Sequence, residues 1–187
     1  ARLEHREDAR LTHLAAQAFD GEGDRRRVMG EIVIHRHAAH GASAWRLAGY
    51  REGLRRAGLR YDARMVLDGE FSYESGYAAT NALLDLEDRP TAIFAANDDM
   101  AAGAICAICE RGLSVPGDIS VCGFDDTPIA HQIYPALTTV RQPTREMGRL
   151  AASELLKEVR ELGSGGIVDV AYALKLRRST GPAPAAD

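Results

Sequence analysis

Residues 91–124 read TAIFAANDDMAAGAICAICERGLSVPGDISVCGF, and the reading of this stretch decides the fold. TAIFAA (91–96) and ISVCGF (119–124) are short apolar runs bounded by turn residues. That is the pattern of strands covered on both faces. Between them Met100, Ala101, Ala104, Ile105 and Ile108 recur at helical spacing, so 98–110 is expected to be a helix with that face buried. Asn97 stands at the N-cap position, and Gly112 stops the helix. Apolar strand, helix, apolar strand calls for parallel pairing through a crossover helix.

The alternation continues outward. Upstream, 8–19 reads as a helix, 28–34 as a strand and 43–58 as an amphipathic helix. Leu47, Tyr50, Leu54 and Ala57 form the apolar face of the last, and Gly58 is its expected C-cap. A short strand at 65–67 and a helix at 73–86 follow. Downstream, 125–134 is turn-rich, 137–140 extended, and 143–160 helical with Met147, Leu150, Ala151, Leu155 and Val159 as its stripe. Residues 167–176 alternate as a strand should, with Val168, Val170, Tyr172, Leu174 and Leu176 on one side. The fold class is therefore α/β, a parallel sheet flanked by helices.

Composition agrees. Of 187 residues, 45% are apolar and 27% charged, which is core-forming and argues against disorder. No run reaches the roughly 18 apolar residues of a membrane span. A net charge of -4, from 23 basic and 27 acidic side chains, does not demand the basic face of a duplex-DNA binder. Three cysteines are too few for a disulfide framework, which points to a reducing compartment and a cytoplasmic location. The opening ARLEHREDAR has neither Met nor a signal segment, and the closing STGPAPAAD has little capacity to order, so the chain is expected to be a piece of something longer.

Ligands of open α/β sheets bind at the carboxyl ends of the strands. Asn97 and Asp98 follow one strand directly, Asp125 and Asp126 follow another, and Arg46 lies just beyond the loop after 28–34. Carboxylate, carboxamide and guanidinium on one rim suit a polyhydroxylated ligand, since Arg donates in a fork, Asp accepts, and Asn does both. The same residues also fit a plain helix cap and a plain turn. Phe71 lies in a loop on this rim, where a ring can stack on a sugar or base, although core packing is the simpler reading of a lone Phe.

Other motifs carry less. His35, His37 and His40 form H-x-H-x-x-H without a nearby carboxylate or Cys to complete a metal shell. Cys106 and Cys109 form C-x-x-C inside a helix rather than at its N-terminus, and are expected to be small buried residues. Gly21-Glu22-Gly23-Asp24 precedes a strand and lacks the third glycine of a dinucleotide loop. Ser43 has no nucleophile elbow around it, and Arg25-Arg26-Arg27 is a short solvated basic run. No catalytic residue, metal or cofactor is expected.

From Pro90 to Pro143 the string AANDDMAAGA…VPGDISVCGFDD…PALTTV resembles the effector-binding domain of LacI/GalR (lactose-repressor-type) transcriptional regulators. WRLAGYREGLRRAG upstream is similar to the family's R-x-x-G-Y helix, and MGRLAASELL and RRST resemble its last helix and end, so the likeness runs from about Ala9 to Thr180. It implies a type I periplasmic-binding-protein-like fold of two lobes, here mostly the second. It implies effector contacts at Arg46, Asn97, Asp125 and Gln142, with Phe71 as the stacking aromatic.

It also implies a division of the chain. Residues 1–141 would be the second lobe and 142–162 a crossover helix that packs on a first lobe. Residues 163–180 would be a returning strand and 181–187 a disordered tail. A helix-turn-helix headpiece and most of the first lobe would precede residue 1. The expected function is sensing of a sugar or similar metabolite by a non-enzymatic, homodimeric regulator that meets operator DNA only through that headpiece, without contact to membrane. A periplasmic sugar-binding protein of an ABC transporter is the alternative on the same fold. An enzyme of the doubly wound class is the second alternative, and it would need a nucleophile, metal cluster or phosphate loop.

Overall fold

The computed structural model describes residues 29–33, 41–159 and 170–184. The elements in chain order are β1 (Met29–Val33), α1 (Gly41–Arg56), a 3-10 turn (Ala63–Met65), β2 (Val66–Asp68), α2 (Tyr73–Leu84), β3 (Ala92–Ala95) and α3 (Asp98–Glu110). They continue with β4 (Ser120–Asp125), the single turn α4 (Ile129–Gln132), β5 (Thr138–Arg141), α5 (Thr144–Val159) and β6 (Ala173–Lys175). The expected helix at 8–19 and the histidine loop lie outside the described residues, as do the early glycine and arginine runs.

One six-stranded sheet runs β2-β1-β3-β4-β5-β6. The first five strands pair in parallel, and β6 closes the edge antiparallel to β5. Alternation along each strand splits the core in two. Ile93, Ala95 and Val121 face α2 and α3, together with Met100, Ala104 and Ile108. Ala92, Phe94, Cys122 and Phe124 face α1, together with Tyr50 and Leu54. The result is a three-layer α/β/α sandwich whose central strands β3 and β4 are buried on both sides. No helix among the described residues is long and apolar enough to cross a membrane.

Local chemistry sets the helix ends. Ser72 and Asn97 accept from the backbone N–H groups of Ser75 and Met100 at 3.2 and 2.9 Å. Gly58 and Gly112 end α1 and α3 at φ 69° and 73°, a conformation that costs Gly little.

Four expectations need correction. Ala57 is exposed rather than part of the buried face of α1. Cys106 is half-buried and Cys109 exposed, because α3 turns that side toward solvent beside α2. Only Ala173–Lys175 of the expected 167–176 strand pairs among the described residues, and Leu176 is exposed. The turn-rich 125–134 segment includes the short helix α4.

The closing RRST segment is bound into the sheet. The Ser179 hydroxyl donates to the Val121 carbonyl at 2.6 Å and accepts from the Thr138 N–H at 2.8 Å, fully buried. Ser179→Ala removes a hydrogen bond from each of two buried backbone groups and is expected to destabilise by about 1–3 kcal/mol, read as a lower urea midpoint at unchanged slope.

Candidate functional site

The strand order reverses between β1 and β3, and the segments after β2, β3, β4 and β5 all leave from the carboxyl edge of the sheet. That edge, at the switch point, is where an open α/β sheet has a crevice. Arg46, in the second turn of α1, is buried. Its guanidinium carbon lies 4.3 Å from the Phe124 ring centroid and 5.9 Å from that of Phe71, both within cation–π range. Phe71 is 42% exposed, so it is a rim residue and not a core one. Its backbone is left-handed, φ 57°, and its carbonyl accepts from Asn97 Nδ2 at 3.0 Å. The Asn97 carboxamide thus caps α3 with its oxygen and anchors the Phe71 loop with its nitrogen.

Asp125 ends β4 at φ 107°, a region that non-glycine residues enter only where their surroundings force it. Gln142 Nε2, just past β5, donates to Asp125 Oδ1 at 2.6 Å. Burial pushes the Asp125 carboxyl up, while the Gln142 hydrogen bond and the Arg46 charge pull it back only in part. Arg46, Phe71, Asn97, Asp125 and Gln142 therefore lie around one edge of the sheet: a ring face, a guanidinium fork, an acceptor pair and two amides. Phe124 was not singled out from sequence. The signal was available, since alternation from Cys122 puts Phe124 on the α1 face, under Arg46.

The second acids of the two pairs turn away from the rim. Asp98 is fully buried, and burial pushes its carboxyl up to about 6 against hydrogen bonds from Thr139 and Thr127. Asp126 pairs with Arg141 Nε at 2.6 Å and with Arg177 Nη2, and lies 3.4 Å from His131 Nε2. Burial alone would raise the Asp126 carboxyl, but the two guanidiniums outweigh it and hold it below its ordinary value. A depressed acid stabilises the fold above its unfolded pKa and loses that contribution as pH falls through the folded value. The urea midpoint is therefore expected to fall between about pH 4 and more acidic conditions, less steeply in Asp126→Asn. Equal slopes in the two proteins would refute this. Among the described residues no group of three or more His, Cys, Asp and Glu side chains is placed to hold a metal.

Residues 17–180 match the family model for the periplasmic binding protein-like domain. The repressor PurR of Proteus mirabilis is 40% identical over 143 residues, 76% of this chain and 42% of that protein. A LacI-family regulatory protein from Chloroflexus aggregans superposes with a TM-score of 0.83 at 35% identity, covering 93% of this chain and 62% of that one. A LacI-family regulator from Enterococcus faecium, solved with bound ribose, superposes with a TM-score of 0.82 at 28% identity, covering 94% and 63%. The chain spans less than half the length of the curated relatives it matches. It belongs to the periplasmic binding protein-like domain family, as an effector-binding domain of the LacI type.

Proposed function

We propose that this domain senses a small hydroxylated metabolite, a sugar or a sugar-bearing compound, for a LacI-type transcriptional regulator. One observation carries the reading: the buried Arg46 guanidinium lies over Phe124 and near Phe71, beside the Asp125–Gln142 pair and Asn97, at the switch-point edge. In this reading Phe71 stacks on the ligand ring, Arg46 and Asn97 donate to its oxygens, and Asp125 and Gln142 take its hydroxyls. The chemistry is binding, not turnover. A ligand that favours one of two lobe arrangements shifts that equilibrium by its differential affinity, and through it the DNA affinity of a paired headpiece in a cytoplasmic homodimer. Met147 and Leu155, on one side of α5, are exposed, and we assign that face to a first lobe, as the resemblance implies. The relative PurR is a repressor, and the neighbour that holds ribose is a LacI-family transcriptional regulator, which favours the regulator over the transporter protein.

Thermal-shift and calorimetric titration against D-ribose, other monosaccharides and nucleosides test this. A ligand at about a hundred times its Kd contributes about 2.7 kcal/mol, a rise of roughly 5–10 °C for a domain of this size. The rise should vanish in Arg46→Ala and in Asp125→Ala. A rise that survives both substitutions removes the site assignment, and a panel without any hit at millimolar concentration counts against the ligand class.

A further inference from the structure

Asp98 is fully buried, and no cation pairs with it among the described residues. Its Oδ2 accepts from the Thr127 N–H at 2.7 Å and from the Thr127 hydroxyl at 3.0 Å, and its Oδ1 accepts from the Thr139 hydroxyl at 2.5 Å. Thr127 closes the turn begun by Asp125 and Asp126, both at positive φ. The Asp126 N–H donates to the Thr139 hydroxyl at 3.4 Å, so that threonine touches both the carboxylate and the turn. A Cβ at residue 123 would stand 2.5 Å from Asp98 Oδ1, so the carboxylate occupies space that only Gly123 leaves open.

We propose that Asp98 is a positioning residue for the ligand site: by accepting from Thr127 and Thr139 it holds the Asp125–Asp126 turn in its left-handed conformation, and so keeps Asp125 against Gln142 and toward Arg46. The inference rests on reading Asp125 as a ligand group. Capping does not account for Asp98, because Asn97 already caps α3. Stability does not account for it either, since a buried carboxylate without a cation is costly and this one titrates near 6. The titratable groups that face it are Asp125 and the Cys122 thiol, which burial raises.

The test is Asp98→Asn, read by NMR on the whole chain. In the unsubstituted protein the Thr127 amide should shift with a midpoint near pH 6, and the Gln142 side-chain amide should exchange slowly. In Asp98→Asn the Thr127 titration should disappear, and the Gln142 side-chain amide should exchange about tenfold faster or more, with sheet amides still protected. Thr139→Val removes one of the three bonds to Asp98 and, with it, the contact from the Asp126 N–H, and should move the same two signals in the same direction, which keeps the question open to test if Asp98→Asn does not fold. An unchanged Gln142 signal in a folded variant overturns the proposal. Titration with D-ribose separates the two ideas. Binding weakened about tenfold in Asp98→Asn at similar melting temperature supports both. Failure of ribose and the wider panel to bind the unsubstituted chain sinks the ligand reading, and leaves Gln142 exchange to decide on positioning.

Discussion

Gly76→Ala is expected to lower the melting temperature by about 10 °C, through a loss of about 3 kcal/mol or more. α2 and α3 cross so closely that a Cβ at Gly76 would sit 2.2 Å from the Met100 carbonyl oxygen and 2.5 Å from its Cα. The contact is reciprocal, since a Cβ at Gly103 would sit 2.1 Å from the Tyr73 carbonyl oxygen. Both obstacles are helix backbone, which cannot swing aside as a flexible side chain can. The helices would have to separate, and the Met100, Ala104 and Ile108 layer beneath them would lose contact with the sheet. Helix propensity alone gives the opposite sign, because Ala is the better helix former by about 1 kcal/mol. Gly148→Ala is the internal control. It lies in α5 with nothing within 4 Å of its added Cβ, so it should be neutral or stabilising by up to about 1 kcal/mol. Equal effects at 76 and 148 would mean that the α2–α3 packing is looser than described.

The contrast shows what could be read from the sequence. Strand and helix positions around 91–124 were legible because burial writes a period into the residues: Ile93 and Ala95 face one layer, Ala92 and Phe94 the other. The rim was legible too, since the sheet topology sends the residue after each strand to one edge, and Asn97, Asp125 and Gln142 stand there. What was illegible is the direction of a side chain at a turn. Asn97 and Asp98 are adjacent polar residues, as are Asp125 and Asp126, yet one of each pair faces the rim and the other is engaged by Thr127 and Thr139, or by Arg141 and Arg177. That choice depends on partners 13 to 51 residues away, and on left-handed backbone at 125 and 126. The exposure of Cys109 was illegible for a similar reason, because α3 is apolar nearly all round and only its pairing with α2 decides which side stays wet.

Asp125→Asn is expected to separate binding from folding at the rim. The carboxamide has the same shape, keeps an oxygen for the Gln142 Nε2 donor, and tolerates positive φ better than Ala does, so the turn at φ 107° should persist. The change removes one charge near Arg46 and one acceptor. Stability should not fall for want of that charge. A carboxyl raised above its unfolded pKa contributes stability below the unfolded value and loses it as pH rises through the folded value. Asn does not titrate, so Asp125→Asn should gain on the unsubstituted protein across that rise and keep the gain at neutral pH. Ligand affinity should move the other way. A hydroxyl donating to a carboxylate contributes about 1.5–3 kcal/mol more than one left without it, so affinity should drop about 10- to 100-fold. Calorimetry with the best ligand of the panel and a melting curve on the same sample read both quantities. Affinity kept within about threefold would place the ligand away from Asp125. A melting temperature lowered by about 5 °C would show instead that the carboxylate is there to hold the turn.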